Sequence, residues 1–358
     1  MARDFDWPML LIALIICVVG VVQIFSATRE TVFQDAWWKQ IVYLGLGLIL
    51  MWSTMTIDYH TLIEQANLLY GLSVAGLVAV LVIGKSVLGG KRWIPLPGGF
   101  NLQVSEFAKL VILLLVARQL TRFSGDVLEI RDLVRIGALI VAPMALIAVE
   151  PDLGTALTYL PILGIGVFLA GMRWQYWVAI ALIAVILVPL GFAFMKDYQK
   201  NRILSFMDPD RDPKGSGYQL IQSRISVGAG GMWGKGVTKG SQTQLGFLPI
   251  PHTDFIFSAF AEEHGFVGVT VVLSLYFVLL MQIVQNGQTA PDRAGMFLCM
   301  GVAALLLFHL LVNVGMVVGR MPVTGIPLPL MSYGGSSLWS VFMMLGLVNN
   351  VRLRRFVN

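Results

Sequence analysis

The chain has 358 residues, 57% of them hydrophobic and 13% charged, with a mean hydropathy of +0.78 and a formal net charge of +5. Soluble domains carry roughly 25% charged residues, so this composition excludes an ordinary soluble enzyme and points to an all-α, polytopic integral membrane protein. The positive balance belongs to membrane topology and is no sign of nucleic-acid binding.

Apolar runs long enough to span a bilayer, roughly 20 residues each, fall near 8–26, 36–55, 66–84, 104–120, 133–149, 155–171, 174–195, 255–284, 296–319 and 336–351. About ten transmembrane helices are therefore expected, in one domain over 1–358. The first run is too long for a signal peptide and no small-residue cleavage site follows it. Cys17 and Cys299 lie inside predicted spans, so no disulfide is expected.

Lysine and arginine placement sets the orientation. With the N-terminus in the cytoplasm, Arg3, Arg118, Arg122, Arg131, Arg135, Arg173, Arg293, Arg352, Arg354 and Arg355 lie inside. The short outer loops hold Arg29, Lys39, Lys85, Lys91, Arg92 and Arg320. Both termini are thus expected inside, with a long extracytoplasmic loop, 196–254, between spans 7 and 8.

The outer segment 85–103 is dense in glycine and proline, with Arg92 and Trp93 at its middle. Span 4 opens Ser105-Glu106-Phe107-Ala108-Lys109. Glu106 and Lys109, at i and i+3, share one face about a turn below the outer surface, as a local ion pair or as a pair lining a cavity. The turn Glu150-Pro151-Asp152 puts two carboxylates ahead of span 6, where they could also cap its N-terminus.

Within the long loop, Asp208 to Pro213 has the look of an Asp-x-Asp metal motif, although acidic proline turns are common. Tyr218 to Val227 reads as an amphipathic helix at the interface, and Gly228, Gly230 and Gly231 after it suggest a hinge. Pro251 to Gly268 then sets Asp254, Glu262, Glu263 and His264 at the head of a long apolar run. A continuous helix would carry Asp254, Ser258 and Glu262 on one face, and intramembrane carboxylates mark function by default. Arg92, Glu106, Lys109, Asp152, Asp254 and Glu262 all come to the outer half of the membrane in this topology.

Several strings resemble the SEDS family (shape, elongation, division and sporulation), in order along nearly the whole chain. They are Lys91-Arg92-Trp93, Gln103-x-Ser105-Glu106-x-x-Lys109, Pro151-Asp152-Leu153-Gly154-Thr155, Gly230-Gly231 with Gly234-Lys235-Gly236, His252-Thr253-Asp254-Phe255, and Pro327-Leu328-Pro329-Leu330 with Ser332-Tyr333-Gly334-Gly335-Ser336. The form is closer to the elongation branch than to the division branch. Val104, Glu150 and Ile250 stand where the family commonly has proline, glutamine and glutamate.

The resemblance implies a peptidoglycan glycosyltransferase that polymerises lipid II on the outer face of the bacterial cytoplasmic membrane, with a class B penicillin-binding protein as transpeptidase partner. The family's essential aspartate maps onto Asp254. In the chemistry this implies, Asp254 is the base or a metal ligand, and Arg92 and Lys109 face the lipid pyrophosphate. Glu106, Asp152 and Glu262 complete the substrate site, and a divalent cation such as Mg2+ or Mn2+ could assist. A lipid II flippase, or another lipid-linked sugar transferase such as an O-antigen ligase, is the competing reading.

Overall fold

The computed structural model describes residues 4–87, 90–95, 101–122, 128–212 and 215–356. Arg3, part of the charge argument, and Pro213, the end of the acidic motif, lie outside them. Helix α1 (Trp7–Thr28) starts where Asp6 accepts a bond from the Met9 amide and Pro8 presets the first turn. Then follow α2 (Ala36–Thr56), α3 (Tyr59–Glu64), α4 (Ala66–Ile83), α5 (Val104–Thr121) and α6 (Ile130–Val149). Next come α7 (Leu153–Leu157), α8 (Tyr159–Leu169) and α9 (Trp174–Phe194). The long loop carries α10 (Asp197–Met207), α11 (Ser216–Ala229) and α12 (Ser241–Gln244). The chain closes with α13 (Ile256–Gln288), α14 (Arg293–Val317) and α15 (Gly335–Leu353).

Every expected span is helical. Among the described residues, six helices are long and apolar enough to cross a membrane: α1, α4, α6, α9, α13 and α14. Three of the four other expected spans, all but α2, differ for a physical reason. Helices α5 and α15 are buried over most of their length, so protein surrounds them and they can carry Glu106, Lys109, Asn349 and Asn350. The expected 155–171 span is broken at Thr158 into α7 and α8, and the Thr158 hydroxyl turns back to the Thr155 carbonyl.

Two glycines let elements approach to backbone distance. A Cβ at Gly20 of α1 would lie 2.6 Å from the Met331 carbonyl oxygen, and one at Gly346 of α15 would lie 2.1 Å from the Thr54 hydroxyl of α2. The loop after α14 is thereby clamped against α1.

Where described, the 85–103 segment is a small sheet: β1 (Lys85–Val87), β2 (Gly90–Pro95) and β3 (Asn101–Leu102) pair antiparallel in the order β1-β2-β3, with Lys85 opposite Trp93 and Ile94 opposite Leu102. Two local expectations change. Asp254 is not on the helix of Glu262, because α13 begins at Ile256. The helix itself breaks at Gly265 (φ 63°, ψ −166°), where the amides of Phe266 and Val267 bond the carbonyls of Gly231 and Met232.

That exchange also ties the end of the glycine stretch to α13, and it takes Gly230 out of the hinge reading. A Cβ at Gly230 would lie 2.0 Å from the Ala261 carbonyl, and one at Gly234 would lie 2.1 Å from that of Glu263. Gly230 and Gly234 are packing glycines, whereas Gly228 and Gly231 have no neighbour within 4 Å of an added Cβ and Gly231 takes a positive φ of 54°. In helix α11 the buried side chains include Leu220, Ser223 and Ser226, while Ile225 is exposed.

Candidate active site

The site is built on the loop just before α13. The Asp254 carbonyl accepts from Asn313 Nδ2 of α14 at 2.9 Å, and the same amide group donates to the Ile326 carbonyl at 2.8 Å. The Thr253 carbonyl accepts from the Ser332 hydroxyl, and the Tyr333 amide bonds the His252 carbonyl. The backbone of 252–254 is therefore fixed from the 326–333 segment. The Asp254 carboxylate itself accepts no hydrogen bond among the described residues. Gly325, at φ 74°, passes beside it; a Cβ there would lie 3.4 Å from one carboxylate oxygen.

Its charged surroundings come from three other segments. Burial lifts the Asp254 carboxyl to about 6; Arg202 opposes this, Asp152 adds to it, and Arg92 opposes it. Asp152 caps α7 through the Thr155 amide and accepts from Gln103 Nε2 at 3.2 Å. Arg92 Nη1 stands 3.7 Å from Asp152, while its Nε donates to the Glu150 carbonyl at 3.1 Å and its Nη2 to the Pro151 carbonyl. Arg92 thus ties the β2 strand to the 150–152 turn. Burial and the neighbouring Asp152 push Glu150 up to about 8, which leaves it largely neutral at pH 7.

Arg202, on α10, is exposed and donates to the Thr324 carbonyl at 3.3 Å. Sequence reasoning did not single it out, because it sits among several basic residues of the long loop and no spacing marks it. His309 and Asn313 were also missed. They lie at i and i+4 on an apolar helix, and polar groups at membrane depth are the signal that would have found them.

Glu106 and Lys109 sit deeper. Lys109 is 1% exposed, with Nζ 2.7 Å from Glu106 and 3.4 Å from His309 Nε2. Glu106 also accepts from the Ser340 hydroxyl, and His309 Nδ1 lies 3.2 Å from the Pro327 carbonyl. Both the Asn313 and the His309 bonds reach the 326–327 backbone, which links the buried pair to the loop that frames Asp254.

Glu262 and Glu263 lie elsewhere. Glu262 accepts from Lys235 Nζ (2.9 Å), the Gln242 and Thr243 amides (2.8 and 3.1 Å) and the Thr243 hydroxyl (3.0 Å). Glu263 accepts from Ser26, Gln23 and the Thr238 amide. Their lone pairs are committed to pinning the 235–243 loop and α1. In the acidic motif, Asp212 accepts from the amide and hydroxyl of Ser216 at the start of α11. No cluster of three or more His, Cys, Asp or Glu groups able to hold a metal occurs among the described residues.

Residues 6–355 match the FtsW/RodA/SpoVE cell cycle protein family. The chain belongs to that family. Among its FtsW/RodA/SpoVE relatives is the peptidoglycan glycosyltransferase MrdB of Escherichia coli strain K12, 38% identical over 98% of this chain and 94% of that one. The peptidoglycan glycosyltransferase RodA of Treponema pallidum is 32% identical, covering 98% of each. A solved chain from a peptidoglycan synthase complex that coordinates polymerization and crosslinking superposes with a TM-score of 0.86, at 35% identity and 99% coverage of both chains. RodA of Thermus thermophilus superposes with a TM-score of 0.73, at 30% identity and 98% coverage of both.

Proposed function

We infer that the chain is a peptidoglycan glycosyltransferase of the elongation type, polymerising lipid II on the outer face of the bacterial cytoplasmic membrane. The observation that carries the site assignment is the Asp254 carboxylate, unbonded among the described residues, beside Arg202 and Arg92 on a backbone held by Asn313 and Ser332. Joining two lipid-linked sugars forms a bond from an acceptor hydroxyl oxygen to an anomeric carbon. The bond from that carbon to the lipid pyrophosphate breaks, and its electron pair leaves with the pyrophosphate. Asp254 takes the hydroxyl proton as general base.

The cations divide the remaining work. Arg92 spends its Nε and one terminal nitrogen on backbone carbonyls, so its task is to hold the turn of Asp152 in place. Arg202 has one hydrogen bond among the described residues and a planar fork for phosphate oxygens. Lys109, enclosed by Glu106 and His309, acts through the 326–327 backbone instead of touching pyrophosphate. Glu262 supports the loop and is not a substrate ligand in this reading. Mg2+ is commonly bound through one or two carboxylates plus substrate phosphates, so Asp254 and Asp152 are the residues that would hold a cation arriving with the pyrophosphate, where it would neutralise the leaving group.

The partner we propose is a class B penicillin-binding protein, since crosslinking must follow polymerisation. A flippase needs ionisable groups along the full depth of its path. The unbonded carboxylate is instead at one end, and Lys109 is sealed in a pair. Purified chain and partner, given labelled lipid II in detergent where no bilayer exists to cross, should yield glycan polymer. Absence of polymer under conditions where the E. coli relative polymerises would refute the reading.

A further inference from the structure

Helices α4, α5 and α6 enclose a cleft of about 530 Å3 at the end of the bundle remote from Asp254. Its polar wall is Asn67, Gln119 and Arg135, each from a different helix; its apolar wall includes Leu115, Leu139 and Ala142. None of the three polar side chains makes a hydrogen bond or ion pair among the described residues. Arg135 and Ala142 are exposed, so the cleft opens on the flank of the bundle.

The two walls are separated along the helix axes. Asn67 is the second residue of α4, Gln119 lies in the last turn of α5, and Arg135 lies in the second turn of α6. Leu115 is one turn deeper than Gln119, and Ala142 is seven residues beyond Arg135, roughly 10 Å further along the same face. A cation with two amides sits at the bundle end, with hydrocarbon below. That is the complement of an anionic amphiphile: phosphate on Arg135, polar headgroup on the amides, and an acyl chain along the apolar wall.

We propose that this cleft is a binding site for one anionic glycerophospholipid of the cytoplasmic leaflet, distinct from the Asp254 site. A phospholipid fits better than a partner helix for two reasons. The cleft has the size of a small-ligand pocket, and although Ala138 and Ala142 put two small residues on its α6 side, it also holds an uncommitted arginine beside two amides, which a headgroup satisfies and an apolar helix does not.

Native mass spectrometry of the full chain in detergent, titrated with phosphatidylglycerol and separately with phosphatidylcholine, tests this. One phosphatidylglycerol should stay bound in preference to phosphatidylcholine. Arg135→Gln should weaken it about fivefold, the worth of one arginine at an anionic surface. Ala142→Trp, which fills the cleft without changing charge, should remove it. Arg131→Gln, on the same helix but outside the cleft, should leave it unchanged. Equal retention of both lipids, full retention in Arg135→Gln, or an equal loss in Arg131→Gln overturns the proposal. So does a photo-crosslinker at Ala142 that captures protein in place of phospholipid in intact membranes.

Discussion

Asp254 is more basic than a solvated aspartate because burial penalises its charge, and Arg202 and Arg92 only partly offset this. The consequence for rate has a definite sign. A base must be ionised to act, so polymerisation should fall as pH drops through about 6. For stability the sign is opposite. Between the ordinary aspartate value and about 6 the folded chain binds more protons at this group, so its contribution makes folding less favourable as pH rises through that window. A pH–rate profile with partner and lipid II in excess checks the first; a rate flat from pH 7 to pH 5 contradicts it. Arg202 gives a second residue-scale expectation. Arg202→Ala should lower lipid II turnover at least about tenfold, by analogy with lost charge-assisted bonds worth roughly 1.5–3 kcal/mol, and leave the melting temperature unchanged. Arg92→Ala should lower both, because its bonds hold the 150–152 turn.

At the scale of elements, the buried pair on α5 separates structure from chemistry. Removing one partner of a buried ion pair typically costs about 3–5 kcal/mol, whereas replacing both by apolar groups is often neutral. Lys109→Met alone should therefore destabilise the chain strongly, and Lys109→Met with Glu106→Leu should recover most of that loss in a thermal melt. If Lys109→Met melts like the wild type but does not turn over lipid II, lysine is a direct ligand instead. The positions of the helices were legible in the apolar runs because each run had to match a bilayer. The break at Gly265 was not legible, since nothing local distinguishes a helical glycine from one whose neighbours bond another segment. Asp254 could be read from motif and charge, and so could the pairing of Lys109 with Glu106. The separation of Glu262 from Asp254 could not, because it depends on where α13 starts and on loop amides at 242 and 243 that carry no sequence mark. Arg202 reaches the site only through the tertiary placement of α10.

For the whole molecule, the account requires that the 196–254 loop and Asp254 share the outer face. Lys239 is exposed in that loop, so Lys239→Cys, with Cys17 and Cys299 replaced, should react in intact cells with a membrane-impermeant maleimide. Protection until the cells are opened would invert the topology. The central claim is that one carboxylate on this face makes glycan. Asp254→Asn keeps the side chain's size and leaves the backbone bonds from Asn313 and Ser332 in place. The decisive measurement is polymerisation of labelled lipid II by the purified Asp254→Asn variant with its transpeptidase partner, beside the wild type at equal amounts of folded protein. The account predicts a fall of about 10²–10⁴-fold in glycan synthesis with partner binding unchanged and a melting temperature at neutral pH no lower than the wild type's, since the neutral side chain escapes the burial penalty on the carboxylate; glycan synthesis at the wild-type rate would contradict it.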